Sequence, residues 1–359
     1  MKTLLKSCLN RIPLALSSTL YSSAKGVPVR SEHPHYSKIL TAAEKVRSRL
    51  QTTNINLLPV SNYSKEYLRD IQVNATGCLT KFIGVLSYSL PDDYSNQTQF
   101  LDYGAGTGLI SVLAAELGVQ VTFNDLSEIS CEDFGPIASA LVPGHRIPVV
   151  FGDIGAVVED ARKRQILYDA VGSYDVLEHI YRPENFYREI QAILKPDAIV
   201  FMATSANSFN ASTVNQLAEV QLLWEGGPTS RQMLDGTPTY FGARREHCSR
   251  FAKQKNLSLT PEQLDSVASR TRGMITPEIE QRLEAFVKDP DVTSVDPYFP
   301  SNACHPDSGN WTEHLLNYPL FIQSLNQDWK STLFPENEKR RAQSHVLGIL
   351  SRPRGRTSV

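Results

Sequence analysis

Residues Leu101-Asp102-Tyr103-Gly104-Ala105-Gly106-Thr107-Gly108 run straight into the apolar segment Leu109–Leu117. The pattern reads as the end of a buried strand from Phe100-Leu101, a glycine-rich turn and the start of a helix. Three alternating glycines let the backbone bend sharply and approach a ligand closely. The helix that follows aims its free N–H groups at that ligand. The strand delivers Asp102 to the turn, so a carboxylate stands beside the place where the backbone is most accessible.

From Phe100 onward, strand and helix alternate. Candidate strands are Phe100–Tyr103, Val119–Asn124, Ile147–Phe151, Ala170–Tyr174 and Ala198–Thr204. Short strands separated by helices imply a parallel sheet covered on both faces, with ligands bound beyond the carboxyl ends of the strands. Before this region the chain reads as helical. Ile39, Ala43, Val46 and Leu50 fall at helical spacing, and further helices are expected over Lys65–Ile71 and about Cys78–Leu90, ended by Pro91-Asp92-Asp93. After Phe209 the rhythm is lost. Glu225–Pro228 and Asp235–Pro238 read as turns. Pro261–Arg272 and Pro277–Lys288 read as helices capped by Thr260 and Thr276, Pro290–Pro306 as a proline-rich loop, and Val346–Leu350 as a last strand. The organisation expected is a helical N-terminal cap over 1–95, a Rossmann-like doubly wound α/β core over 96–208, a substrate-covering elaboration over 209–340, and a last core strand and tail over 341–359.

The 359 residues carry 36 Lys and Arg against 38 Asp and Glu, a net charge of -2. That balance gives no support for a sequence-independent nucleic-acid binder. Five scattered cysteines (Cys8, Cys78, Cys131, Cys248 and Cys304) form no C-x-x-C pair, which argues for a reducing compartment and against a zinc ribbon. No run is apolar and long enough to span a bilayer. Residues 1–30 carry Lys2, Lys6, Arg11, Lys25 and Arg30 and no acid. The segment is read as a basic amphipathic helix at the start of a cytoplasmic protein, with an organellar transit peptide as the alternative.

Two further acids follow the next two strands. Asp125 ends Val121-Thr122-Phe123-Asn124-Asp125, and Asp153 follows Val149-Val150-Phe151-Gly152. A carboxylate after the second strand can accept both hydroxyls of a ribose, and one after the third can accept from an adenine amine while Ile154 packs on the ring. Each acid taken alone also fits a helix cap. A G-x-G-x-G turn with acids at three successive strand ends favours a nucleoside cofactor over a dinucleotide. The region from Phe100 to about Thr204 resembles the class I S-adenosylmethionine-dependent methyltransferases. The segments Leu101–Gly108, Phe123–Asp125, Gly152–Ile154 and Tyr168–Thr204 carry that resemblance in order and spacing. It implies a seven-stranded sheet with one antiparallel strand, and S-adenosylmethionine at the first strand ends. Carried over by position, Asp102 would serve the methionine amino group, and Gly104, Ala105, Gly106 and Gly108 would approach the cofactor with their backbones. Asp125 and Leu126 would hold the ribose side, Asp153 and Ile154 the adenine, and Ser173 would lie at the fourth strand's end.

The fourth strand leads into Tyr174-Asp175-Val176-Leu177-Glu178-His179. This resembles the D-V-L-E-H branch of the same family, which includes ubiquinone-pathway O-methyltransferases. A helix opened by Asp175 would place Asp175, Glu178 and His179 on one face. His179 and Glu178 are then the candidate catalytic pair, with His179 as general base or its orienter. Three readings stay open: catalysis, a role restricted to bonding nearby backbone, and a divalent metal site as in relatives with E-x-x-E-H. Asp175 stands where those relatives have the first Glu, so a metal is not expected.

Cys304–His314 is dense in functional residue types, with Trp311 as a stacking wall and His305, Asp307 or His314 as polar groups. Tyr63 and Tyr67 are placed to close over the cofactor or to pack as ordinary helix residues. The reading is a methyl transfer to a small or sugar-like acceptor, at oxygen. The alternatives are a metal-dependent enzyme acting on RNA ends, a non-catalytic nucleoside-binding scaffold and, more distantly, an NAD oxidoreductase.

Overall fold

A computed structural model describes residues 28–180, 182–224, 240–271, 274, 276–289, 315–316, 318–325 and 328–354. The basic N-terminal stretch up to residue 27, the turns at 225–228 and 235–238, and the Cys304–His314 segment lie outside the described residues. No described helix is long and apolar enough to cross a membrane.

The described chain divides into two compact units. The first holds residues up to Val176, Tyr187–Ala203 and the chain from Leu325. It opens with helices α1 (Tyr36–Thr52), α2 (Asn62–Val73) and α3 (Ala75–Ser89). Strand β1 (Gln99–Tyr103), α4 (Leu109–Glu116), β2 (Gln120–Asp125), α5 (Glu128–Leu141), β3 (Val149–Phe151), α6 (Ile154–Arg164) and β4 (Tyr168–Tyr174) follow in strict alternation. Helix α7 (Pro183–Ile190) and β5 (Leu194–Thr204) continue the order. The sheet is completed by β6 (Trp329–Phe334) and β7 (Leu347–Pro353).

The strand order is β3-β2-β1-β4-β5-β7-β6. Strand β1 pairs in parallel with both β2 and β4, β2 with β3, and β4 with β5. Strands β6 and β7 are antiparallel to each other, so one of them runs against the parallel set. This is the seven-stranded, Rossmann-like α/β architecture that the resemblance implies. The order reverses at β1, where two parallel strands leave in opposite directions and open a crevice at their carboxyl ends.

Helix α4 is apolar all round, and every residue from Leu109 to Ala115 is buried. Such a helix belongs inside a core. Ile39, Val46, Leu79, Ile83 and Leu86 from α1 and α3 share one apolar cluster with Phe100, Leu113, Phe123 and Phe201. Helices α1 and α3 therefore share the core of the sheet domain. Within the span 209–340 expected as an elaboration, residues 329–334 form strand β6 of the central sheet. Trp329, expected as a packing residue, is buried there.

The second unit comprises Leu177–Phe186 and Thr204–Ser324. Its described helices are α8 (Ala211–Trp224), α9 (Tyr240–Gln254), α10 (Pro261–Arg270), α11 (Thr276–Lys288) and α12 (Tyr318–Leu325), whose last residue falls to the first unit. Cys248, Phe251, Val267, Ile279, Leu283 and Phe286 make a core of their own. The start of α10 is fixed by a capping box, with Thr260 and Gln263 each accepting from the other's backbone N–H.

Candidate active site

Strand β1 carries Asp102 to the turn with no exposed surface at all. Its Oδ2 accepts from the Ser111 amide at 2.8 Å and from the Ser111 hydroxyl at 2.7 Å. Its Oδ1 has no partner among the described residues. Burial pushes the Asp102 carboxyl up to about 7; the Ser111 bonds oppose the rise and the nearby Asp125 charge adds to it. A buried acid with one oxygen unsatisfied is a costly arrangement that a cationic ligand group would relieve.

The turn itself is left-handed at Gly104 (φ 66°) and Gly106 (φ 56°). A Cβ on Gly104 would stand 2.4 Å from Val176 Cγ2, so this glycine is required by close packing as well as by φ. A Cβ on Gly106 would meet nothing within 4 Å. Gly106 is therefore the position where backbone faces open space and a ligand can approach. The turn is held from below: the Ala105 amide donates to Asn124 O, and the Gly108 amide to Ala105 O, both at 2.8 Å.

Asp125, at the end of β2, braces the same turn. Its Oδ2 accepts from the Gly106 amide at 2.7 Å and its Oδ1 from the Ser127 amide at 2.8 Å. Desolvation raises its carboxyl above the ordinary range, against those backbone bonds. Each oxygen keeps a further lone-pair site for a ligand hydroxyl. Asn124, which sequence reasoning passed over, is buried and donates from Nδ2 to Val150 O at 3.0 Å and Gly152 O at 2.8 Å. It ties the end of β2 to the end of β3. Ser111 was also missed. Its only signal was a small polar residue inside an otherwise apolar helix, one turn in and facing back to the acid.

Asp153 follows β3 and is exposed. Its Oδ1 caps α6 by accepting from Gly155 N at 3.0 Å and Ala156 N at 3.4 Å. The helix-cap geometry is therefore realised at Asp153. Ile154 is buried, so apolar surface at this edge comes instead from Leu126, 49% exposed, and Phe151, 55% exposed. Ser173 is fully buried near the end of β4, and its hydroxyl has no partner among the described residues.

The strand-four segment differs from the expectation. Asp175 does not open a helix: its backbone is left-handed, at φ 54°. Leu177–His179 forms a single 3-10 turn. Asp175 lies outside that turn, so the α-helical face expected of Asp175, Glu178 and His179 is not formed. Glu178 is fully buried and His179 half-buried, and both belong to the second unit. Among the described residues no group of three or more His, Cys, Asp or Glu is disposed to hold a metal ion.

The residues at the β1 and β2 ends fit a nucleoside carrying an amino-acid tail. The open backbone over Gly106 accommodates close approach, the Asp125 carboxylate suits vicinal hydroxyls, and the unsatisfied Asp102 oxygen suits an ammonium group.

A family profile described as a methyltransferase domain matches residues 79–258. The chain is 32% identical over 133 residues to a ubiquinone biosynthesis O-methyltransferase of Caulobacter vibrioides, covering 34% of this chain and 48% of that protein. It is 27% identical over 161 residues to a mitochondrial ubiquinone biosynthesis O-methyltransferase of Schizosaccharomyces pombe, covering 44% of this chain and 54% of that protein. The chain thus spans about half the length of these curated relatives. Among solved structures, the C-terminal domain of precorrin-6Y C5,15-methyltransferase from Rhodobacter capsulatus is 16% identical, with a TM-score of 0.30, covering 41% of this chain and 72% of that one.

Proposed function

This chain belongs to the methyltransferase-domain family, and we propose that it transfers a methyl group from S-adenosylmethionine to an oxygen of a small-molecule acceptor. The observation that carries the proposal is the Asp102–Gly106–Asp125 cluster: two carboxylates bracketing a turn whose backbone lies open at Gly106. In this reading Asp125 accepts from the ribose hydroxyls, and the free Oδ1 of Asp102 receives the methionine ammonium, which draws the carboxyl into its ionised form. The remaining oxygen of Asp153 takes the adenine amine, with Leu126 and Phe151 against the ring. The oxygen specificity is supported by the D-V-L-E-H resemblance and by relatives named as O-methyltransferases.

The cofactor's sulfonium supplies an already activated methyl group, so the protein's share is alignment and exclusion of water. His179 is assigned to receive the acceptor's proton, a role suited to imidazole. Replacing His179 by Ala is expected to leave cofactor affinity unchanged and to reduce turnover by about 10²-fold or more.

Calorimetric titration of the full chain with S-adenosylmethionine, with NAD as control, tests the cofactor assignment. Saturable binding that Asp125→Ala weakens at least tenfold is the expected result. No binding by folded wild-type protein would remove the proposal.

A further inference from the structure

Of the three strand-end acids, only Asp102 has no exposed surface. Its two oxygens are treated unequally. Oδ2 takes both donors of Ser111, the amide at 2.8 Å and the hydroxyl at 2.7 Å, whereas Oδ1 has no partner among the described residues. Ser111 is itself fully buried, and every other residue of α4 from Leu109 to Ala115 is apolar.

Among the described residues, no cation offsets the charge that Asp102 would carry. In register beside it stand Phe123 on β2 and Gly172 on β4, neither of which ionises. The charged residues of the surrounding elements are engaged elsewhere or repel. Lys81 of α3 lies against the Tyr174 ring, 4.9 Å from its centroid. Glu116, at the far end of α4, pairs with Lys45 and Arg49, and Asp169, near the start of β4, pairs with Lys195. Asp125, at the end of β2, adds a like charge. A carboxyl buried without a cation keeps its proton. Since Oδ2 already accepts two hydrogen bonds, that proton resides on Oδ1. The ligand-free protein therefore holds a neutral Asp102 below about pH 7.

We propose that Asp102 gives up its Oδ1 proton to solvent when the cofactor's ammonium arrives, and that the Ser111 hydroxyl sets how readily it does so. The inference rests on the methyltransferase reading and adds to it a proton and a positioning residue. The exchange balances. The O–H bond of Asp102 breaks, its electron pair stays on the carboxylate, the proton leaves to water, and the ligand's positive charge takes its place. Ser111 acts on the ligand only through Asp102. A hydrogen bond donated to a carboxylate is stronger than one donated to the neutral acid, so loss of the Ser111 hydroxyl should let Asp102 keep its proton to higher pH, by about one pH unit.

The test is calorimetric titration of the full chain with S-adenosylmethionine in two buffers of different ionisation enthalpy. The difference in heat between the buffers counts the protons released. At pH 6 wild type is expected to release about one proton, and Asp102→Asn to bind more weakly with no such release. Ser111→Ala is expected to weaken affinity about tenfold at pH 6 and about twofold at pH 8, where much of the carboxyl is ionised in either protein. Should Ser111→Ala melt too early to titrate, Ser111→Cys, close in size with a weaker donor, makes the same comparison. Saturable wild-type binding whose heat is the same in both buffers overturns the proton release and leaves the methyltransferase reading standing. Equal weakening of the Ser111 variant at the two pH values reduces that residue to a structural one and overturns its part. Failure of folded wild type to bind overturns both the inference and the reading.

Discussion

Asp102 links the stability of the empty protein to the binding of its ligand. Its carboxyl sits at about 7 in the folded chain, against about 4 for an ordinary aspartate. Between those values the folded protein holds a proton that the unfolded chain has released, so stability falls as pH rises through that window. Asp102→Asn removes the ionisation while keeping an oxygen for Ser111. Without ligand it should melt above wild type at pH 8, by an amount on the order of 2–4 kcal/mol, with the gain shrinking by pH 5. The same variant should bind S-adenosylmethionine more weakly, because no carboxylate remains for the ammonium. Melts at the two pH values and one titration check both halves. The glycines supply a second contrast. Gly104→Ala meets Val176 and a left-handed φ, so it should cost about 2 kcal/mol or more in stability. Gly106→Ala meets no neighbour, so its stability cost should stay near 1 kcal/mol while the added methyl blocks the open backbone and abolishes cofactor binding. Similar losses of stability in the two variants would show that Gly106 is not the open position. At this scale the placement of the acids at the strand ends was legible, because a strand end, a glycine turn and a carboxylate are contiguous in sequence. Their present bonding was not. Nothing in the order of residues says that Asp125 braces Gly106, and for Asp153 the order left the helix cap as one of two open readings.

Elements were legible where local and tertiary demands agree. Each parallel strand has an apolar run, a turn signal and a helix behind it, and β1 to β5 fall within a few residues of where the pattern puts them. Strand β6 was hidden because only Trp329 and Leu333 of its six residues are buried, a spacing of four that imitates a helix. The segment after β4 failed for a different reason. Asp-Val-Leu-Glu-His has helical spacing, but packing of Val176 on the glycine turn sets the backbone of Asp175 against a helix start. Helix α2 shows an anchor that no local pattern reveals. Burial alone would raise the Asp133 carboxyl, yet bonds from Ser61 and Ser64 outweigh it and hold the group below its usual range. The resulting stability is present above about pH 4 and is lost as pH falls below that. Asp133→Ala should therefore cost about 1–2 kcal/mol at pH 7, and limited proteolysis should find faster cleavage between Thr53 and Tyr63. Cleavage at the wild-type rate would mean that α2 is held by its apolar face alone.

At the scale of the whole molecule, the proposed cofactor residues lie between Asp102 and Ser173, yet the sheet that positions them closes with the last described residues. Strands β6 and β7 pair along their full length, and β7 lies against β5. A Cβ on Gly348 would stand 2.3 Å from the Phe201 ring, which itself stacks on Tyr88 at 4.7 Å, so the C-terminal strand seals the core built by β5 and α3. Trp329 meets Tyr187 edge-on at 5.1 Å on the way. A chain ended after Leu325 keeps every proposed cofactor contact and loses this closure. It turns β5, with Val200, Phe201 and Met202 fully buried in the intact protein, into an unprotected edge. Exposed apolar edges template further strands, and loss of large buried side chains costs several kcal/mol each, comparable with the total stability of a domain. The truncated chain should therefore aggregate, show no cooperative melt for the first unit and bind no S-adenosylmethionine, as read by light scattering, calorimetry and titration. A soluble truncated chain that still titrates would place the whole cofactor-binding fold upstream of residue 325. The hairpin would then be an addition to a sheet already stable with five strands.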